Sequence, residues 1–202
     1  RNCLHFLLEG GSIDSDGAGT ILTTAGCLLS DNRNNATKKV IENRLKNYFG
    51  LERVLWLQHG HLAGDDTDGH VDTLARFCNE QTIAYIKCEE EEDEHFEELK
   101  KMEMELQNFR TLQNEPYQLI PLPMADPVYE NNERLPATYA NFLIINGAVL
   151  MPTYQSPKDE IAKQRLQKAF PDRKIIGIDC RTLIKQHGSL HCVTMQFYPA
   201  KG

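Results

Sequence analysis

The chain has 202 residues, 41% hydrophobic and 25% charged, an ordinary balance for a soluble globular fold. Its net charge of −7 argues against a nucleic-acid or anionic-membrane partner and favours a cationic ligand. No apolar run approaches the roughly 20 residues of a transmembrane helix, and six cysteines without a CxxC pair suit a reducing, cytoplasmic setting rather than a disulfide scaffold.

The chain begins with Arg1 rather than Met, and Arg1 to Leu8 runs straight into apolar residues, so we expect further residues upstream. Leu4 to Leu8 reads as a strand, Asp16-Gly17-Ala18-Gly19 as a tight turn, and Thr20 to Thr24 as the returning strand. Asn35 is placed to cap a helix over 36–49, with Val40, Ile41, Leu45 and Tyr48 on one face and Gly50 closing it. Glu52 to Leu57 follows as a strand. The same order then returns: strands over 70–77 and 82–87, a helix from about Glu94 to Arg110 and a strand over 117–122. The acidic run Glu89 to Glu94 reads as a solvated helix start that suits the helix dipole. A third pass has strands at 140–145 and 148–151 joined by Asn146-Gly147, a helix from Ser156 or Pro157 to Phe170, and a strand at 174–178. A fourth opens with a strand at 189–195.

We therefore read a repeated strand–strand–helix–strand unit, with copies at 4–57, 70–122 and 139–178 and an opening strand within 188–202. The leading strands carry Glu9, then His70 and Asp72, then Asn141, then Cys192. Polar residues at matching positions of pseudo-symmetric units converge on a common axis, so a central site is expected there.

The densest chemistry lies in Gly64-Asp-Asp-Thr-Asp-Gly-His-Val-Asp72, with Gly188-Ser-Leu-His-Cys192 as its distant partner. A cysteine, a histidine and a carboxylate far apart in sequence can form a nucleophilic centre. The plainer readings are an inert buried thiol for Cys192, a satisfied histidine for His70 and a solvated acidic turn for most of the carboxylates. Strand alternation would put His70 and Asp72 on one face, and would turn His191 away from the face of Cys192. A divalent-metal site from His59, His61, Asp65, Asp66 and His70 is the structural rival, though the spacings match no compact ligand motif. There is no Walker A loop, dinucleotide fingerprint or GxSxG elbow, and no helix begins after Glu9-Gly10-Gly11 to bind phosphate.

Several segments together resemble the agmatine deiminase and Porphyromonas-type peptidylarginine deiminase family. They are Glu9-Gly-Gly-Ser-Ile13, Gly17 to Thr24, Asp66-Thr-Asp-Gly-His-Val-Asp72 with Leu74-Ala-Arg-Phe77, Tyr139-Ala-Asn141, Asn146-Gly147 and Gly188 to Cys192. The resemblance implies an α/β pentein propeller, of which this chain holds about three ββαβ units and the opening strand of another out of five. It implies hydrolytic deimination of a small cationic guanidino substrate, agmatine or an arginine derivative, to a ureido product and ammonia. Cys192 matches the nucleophile that forms a thiouronium intermediate, His70 the general acid–base, and Asp72 and Glu9 the guanidinium-holding carboxylates. Asn141 and Gly188 match positions bordering the substrate. No metal or organic cofactor is implied, and a homodimer is implied by the resemblance alone. A dimethylarginine hydrolase, an amidinotransferase or a catalytically inactive pentein binding module are the alternatives. Where the family usually has three glycines, this chain has Gln186-His187-Gly188, which bears on agmatine specificity. The family's N-terminal unit, with another guanidinium-binding carboxylate, is not matched, so we expect this polypeptide alone to have an incomplete site and low or no activity.

Overall fold

The structure, a computed structural model, describes residues 5–197. It contains three small sheets of one design. In the first, β1 (Ile13–Ser15) pairs antiparallel with β2 (Thr20–Thr24), and β2 pairs parallel with β3 (Arg53–Leu57). The short helix α1 (Ala25–Leu28) and the crossover helix α2 (Lys38–Phe49) lie between β2 and β3. The second sheet repeats this with β4 (Ala75–Asn79), β5 (Thr82–Lys87), helix α3 (Phe96–Asn108) and β6 (Gln118–Pro123). A further hairpin, β7 (Val128–Glu130) and β8 (Glu133–Leu135), then intervenes. The third sheet uses β9 (Leu143–Ile145), β10 (Ala148–Thr153), helix α4 (Lys158–Ala169) and β11 (Lys174–Asp179).

The local chemistry explains each step. Asp16 Oδ1 accepts from the amides of Ala18 and Thr20 at 2.8 and 2.9 Å, closing the first hairpin through Gly17 at φ +74°. The two-residue turn Asn146-Gly147 joins β9 to β10, with Gly147 at φ +75°. Each helix packs one stripe inward: Ile41 and Leu45 on α2, Leu99, Met102 and Leu106 on α3, Ala162 and Leu166 on α4. Parallel pairing of the outer strands requires such a crossover.

Four expectations change. Residues 5–8 form no strand, and β1 begins only at Ile13; Leu4 lies outside the described residues. Helix α2 starts at Lys38 behind Thr37, because Asn35 adopts φ +40° instead of capping. Asn141 lies just ahead of β9, which starts at Leu143 and not at Ala140. Most important, the segments at Glu9, at His70 and Asp72, and at Cys192 are not strands. Each is a 3₁₀ turn, at Gly10–Ser12, Val71–Thr73 and His191–Val193. The cause is the same in all three. The hydroxyls of Ser12, Thr73 and Thr194 donate to the carbonyls of Glu9, His70 and His191, at 2.6, 2.8 and 2.8 Å. Their amides bond the same three carbonyls at 3.0–3.2 Å. Side-chain back-bonding of this kind draws the backbone away from the ladder.

Hydroxyls also join one unit to the next. Thr24 Oγ1 donates to Gly69 O and Thr138 Oγ1 to Thr73 O, both at 2.6 Å in buried surroundings. The three turns are thereby held at the centre of the units. Among the described residues no helix is long and apolar enough to cross a membrane.

Candidate active site

A cavity of about 670 Å³ opens where the turns meet, lined by Glu9, Gly11, His70, Asp72, Gly188 and Cys192 among others. Glu9 enters from the first turn. Its Oε2 accepts from Arg33 Nε at 2.8 Å and lies 3.0 Å from His70 Nε2. Burial raises the Glu9 carboxyl, but the hydrogen bonds from Arg33 and His70 outweigh it and hold its pKa below the ordinary value. Arg33 is itself almost fully enclosed, at 7% side-chain exposure. Its remaining nitrogens bond Asp68 Oδ2 at 2.5 Å and the carbonyl of Thr67 at 2.8 Å. One guanidinium thus ties Glu9 to the acidic loop.

Asp72, the middle residue of the Val71–Thr73 turn, is fully buried. Its Oδ2 lies 2.7 Å from His191 Nδ1 and 3.9 Å from Cys192 Sγ. Its Oδ1 has no hydrogen-bond partner among the described residues. A buried carboxylate oxygen without a donor costs on the order of 1–3 kcal/mol or more, so this atom is poised for a cationic donor from outside. Gly11 makes the arrangement possible: a Cβ there would lie 2.6 Å from His70 Nδ1 and 2.9 Å from both Asp72 oxygens.

Cys192 sits in the third turn. Burial first, and then the facing Asp72 carboxylate, push its thiol above the ordinary thiol value. Asn141 is fully buried and does not appear in the cavity lining. It holds Cys192 from behind: Oδ1 accepts from the amides of His191 and Cys192 at 2.8 and 3.4 Å and lies 3.5 Å from Sγ, while Nδ2 donates to Asp72 O at 3.2 Å. Gly188 leaves room for the cysteine, since a Cβ there would lie 3.1 Å from Cys192 Cβ. Gln186 and His187, beside it, also line the cavity.

The turn geometry revises two details. His70 and Asp72 do reach one cavity, but as residues of a 3₁₀ entry and not by strand alternation. His191 is not turned away from Cys192; both lie against Asp72. The proposed metal ligands do not assemble. His59 pairs with Glu98 at 3.2 Å, and Asp65 holds Thr67 and Gly69 of its own loop. Among the described residues, the cluster that does form is Glu9, Cys27 and His70. There the Arg33 cation occupies the carboxylate, and burial drives the Cys27 thiol up to about 12, so it offers a weak donor set.

Arg33 and Gly11 escaped the sequence reading. Gly11 left a signal, the glycine doublet directly behind a carboxylate. Arg33, within Asn32-Arg-Asn-Asn35, left none, since its partners run from Glu9 to Asp68.

The profile of the Porphyromonas-type peptidyl-arginine deiminase family matches residues 1–198. A crystal structure of a provisionally named arginine deiminase from Porphyromonas gingivalis is 57% identical, with TM-score 0.94 over 96% of this chain and 57% of its own. C. jejuni agmatine deiminase is 48% identical, with TM-score 0.84 over 93% of this chain and 54% of its own. Agmatine deiminase of Pseudomonas syringae pv. tomato is 33% identical over 210 residues, covering 95% of this chain and 57% of the relative. The chain spans a little over half the length of the curated relatives it matches.

Proposed function

The chain belongs to the Porphyromonas-type peptidyl-arginine deiminase family, and we propose on that premise that it carries the guanidinium-hydrolysing centre of a pentein deiminase. The observation that carries this reading is the buried Asp72 carboxylate, 3.9 Å from the Cys192 sulfur and with one oxygen left without a donor among the described residues. A guanidinium is planar, cationic and rich in N–H donors, so it satisfies that oxygen while presenting its carbon to the sulfur.

The reaction divides among the residues as follows. The Cys192 thiol gives its proton to His70, and the thiolate so formed attacks the guanidinium carbon with formation of a C–S bond. Collapse of the tetrahedral adduct breaks one C–N bond, and His70 supplies the proton with which ammonia departs. Water then adds to the thiouronium carbon, His70 takes a proton from it, and the C–S bond breaks to give the ureido product and the free thiol. Asp72 and Glu9 hold the guanidinium by charge-assisted hydrogen bonds. Asn141, buried behind the nucleophile, aligns Cys192 without touching substrate.

The lining also bears on which guanidine is used. Glu9, Asp65, Asp66 and Asp72 border the cavity, and among the described lining residues there is no Lys or Arg to meet an α-carboxylate. This favours agmatine, whose far end is an amine, over free arginine. Ureido formation from the two substrates by the full-length protein tests the assignment. We expect kcat/KM for agmatine to exceed that for arginine at least ~10-fold, and Cys192→Ala to abolish turnover of both. Turnover persisting in that variant removes Cys192 as nucleophile.

A further inference from the structure

Behind Asp72 lies a row of charged and polar groups that the reaction above does not use. His191 Nδ1 faces Asp72 Oδ2 at 2.7 Å. On the other edge of the ring, His191 Nε2 faces Arg76 Nη2 at 3.5 Å. Arg76 is buried and has no freedom to turn away. Its Nε donates to Asp14 Oδ1 at 2.7 Å, its Nη1 donates to the carbonyl of Phe142 at 2.9 Å, and its guanidinium lies 5.2 Å above the Phe142 ring. Asp14 is fixed in turn, its other oxygen accepting from the amide of Phe77 at 2.6 Å. The main chain of His191 is anchored as well, since its amide reaches Asn141 Oδ1 at 2.8 Å.

We propose that His191 is a positioning residue for the reaction: the Arg76–Asp14 pair keeps it in the neutral Nδ1–H tautomer, in which it fixes the Asp72 carboxylate and leaves that carboxylate's charge to the substrate. The argument is one of donors and acceptors. A guanidinium has N–H groups and no acceptor atom. The ring nitrogen facing Arg76 must therefore carry the lone pair, and the proton belongs on Nδ1, where it points at Asp72. An imidazolium would aim a second N–H at a buried cation and would pair its own charge with Asp72. A substrate guanidinium would then meet a carboxylate already neutralised. Arg76 does not itself neutralise Asp72, because its charge is matched by Asp14. Burial raises the Asp14 carboxyl, but Arg76 Nε at 2.7 Å and the Phe77 amide at 2.6 Å favour its ionised form, so along the row Asp14, Arg76, His191 and Asp72 the charges run negative, positive, neutral, negative. One negative charge is left over, on the oxygen pair that borders the cavity.

This inference rests on the deiminase reading, and the two fail separately. Long-range proton–nitrogen NMR of the imidazoles in the substrate-free chain near neutral pH, with His191 assigned by substitution, reads the tautomer without any turnover. We expect His191 to carry its proton on Nδ1, the minority form of an unconstrained neutral histidine. A proton on Nε2, or on both nitrogens, overturns the proposal. Kinetics then test the positioning role. His191→Ala is expected to raise KM for agmatine ~10- to 100-fold with a smaller change in kcat, as for loss of a hydrogen bond to a charged group. His191→Asn, whose Nδ2–H falls near the position of Nδ1–H, is expected to recover most of that loss. An Asn variant as impaired as the Ala variant, with unchanged circular dichroism, also overturns it. Absence of ureido formation by the full-length protein sinks the deiminase reading instead, and the tautomer alone then decides the inference.

Discussion

Gly11→Ala is the most direct test of how the three turns share space. The backbone of Gly11 is not in the left-handed region, so an alanine meets no conformational penalty of its own. What it meets is the site. Its Cβ would sit 2.6 Å from His70 Nδ1 and 2.9 Å from each Asp72 carboxylate oxygen. Restoring ordinary contact requires the imidazole to retreat by roughly 0.8 Å and the carboxylate by about 0.5 Å, and displacements near 1 Å can cost ~100-fold in rate. Overpacking costs a further ~1–3 kcal/mol of stability, since His70 is held by Glu9 and Asp72 by His191. Gly10→Ala is the matched control, because its Cβ would find no atom within 4 Å. Ureido formation from agmatine and thermal melts would be measured on both. We expect kcat/KM to fall ~30- to 100-fold in Gly11→Ala and to stay within ~2-fold in Gly10→Ala. A Gly11→Ala variant as active as the control would refute the claim that this glycine sets the spacing of His70 and Asp72.

Three further outcomes follow from the same geometry. Because burial and the Asp72 charge both raise the Cys192 thiol, its alkylation by iodoacetamide should climb with pH beyond the ordinary thiol range; Asp72→Asn should make it faster than in the parent chain at neutral pH, and a slower rate would contradict the electrostatic account. Arg33→Lys keeps a charge but cannot reach Glu9, Asp68 and the Thr67 carbonyl together, so KM for agmatine should rise ~10-fold in steady-state assays while the fold persists. Asp93 accepts from Arg134 Nη2 at 2.9 Å and lies 2.6 Å from His95 Nδ1; burial raises its carboxyl, but Arg134 and His95 outweigh this and depress it. The stability it confers is present above the unfolded carboxyl value of about 3.9 and is lost as pH falls through the depressed folded one. Asp93→Ala should cost ~3 kcal/mol in denaturant melts near pH 7 and flatten the acid limb of the stability curve.

The strand–strand–helix–strand order was legible because its signals are local and periodic. Ile41 and Leu45, or Leu99, Met102 and Leu106, fall at helical spacing, and Asn146-Gly147 states its hairpin outright. The hairpin β7–β8 was overlooked although Asn131 and Asn132, at φ +50° and +67°, supply the turn; its strands are three residues each and mostly polar, so alternation has no room to show. The leading segments misled for a specific reason. Thr73 and Thr194 are β-branched and raise strand propensity, yet their hydroxyls bond the carbonyl three residues back and bend the chain. Propensity counts the side chain's shape, not the acceptor it will find.

That misreading bears on how the site works. Had His70 and Asp72 stood two apart on a strand, both would project from one sheet face and neither could be reached from three units at once. The 3₁₀ turns instead bring Glu9 and His70, each just ahead of its turn, within 3.0 Å of one another and set His191 against Asp72. Asp72 and Cys192 occupy the middle places of their turns and end 3.9 Å apart, although 120 positions separate them in the chain. The same hydroxyl that keeps each of these segments out of a ladder therefore also fixes the turn that carries the groups beside it. Replacing Thr73 by Val removes the hydroxyl at nearly constant volume and frees the His70 carbonyl from one of its two donors. The loss should appear as lower activity rather than lower secondary-structure content, because β4 and β5 keep their ladder while His70 and Asp72 lose their relative placement.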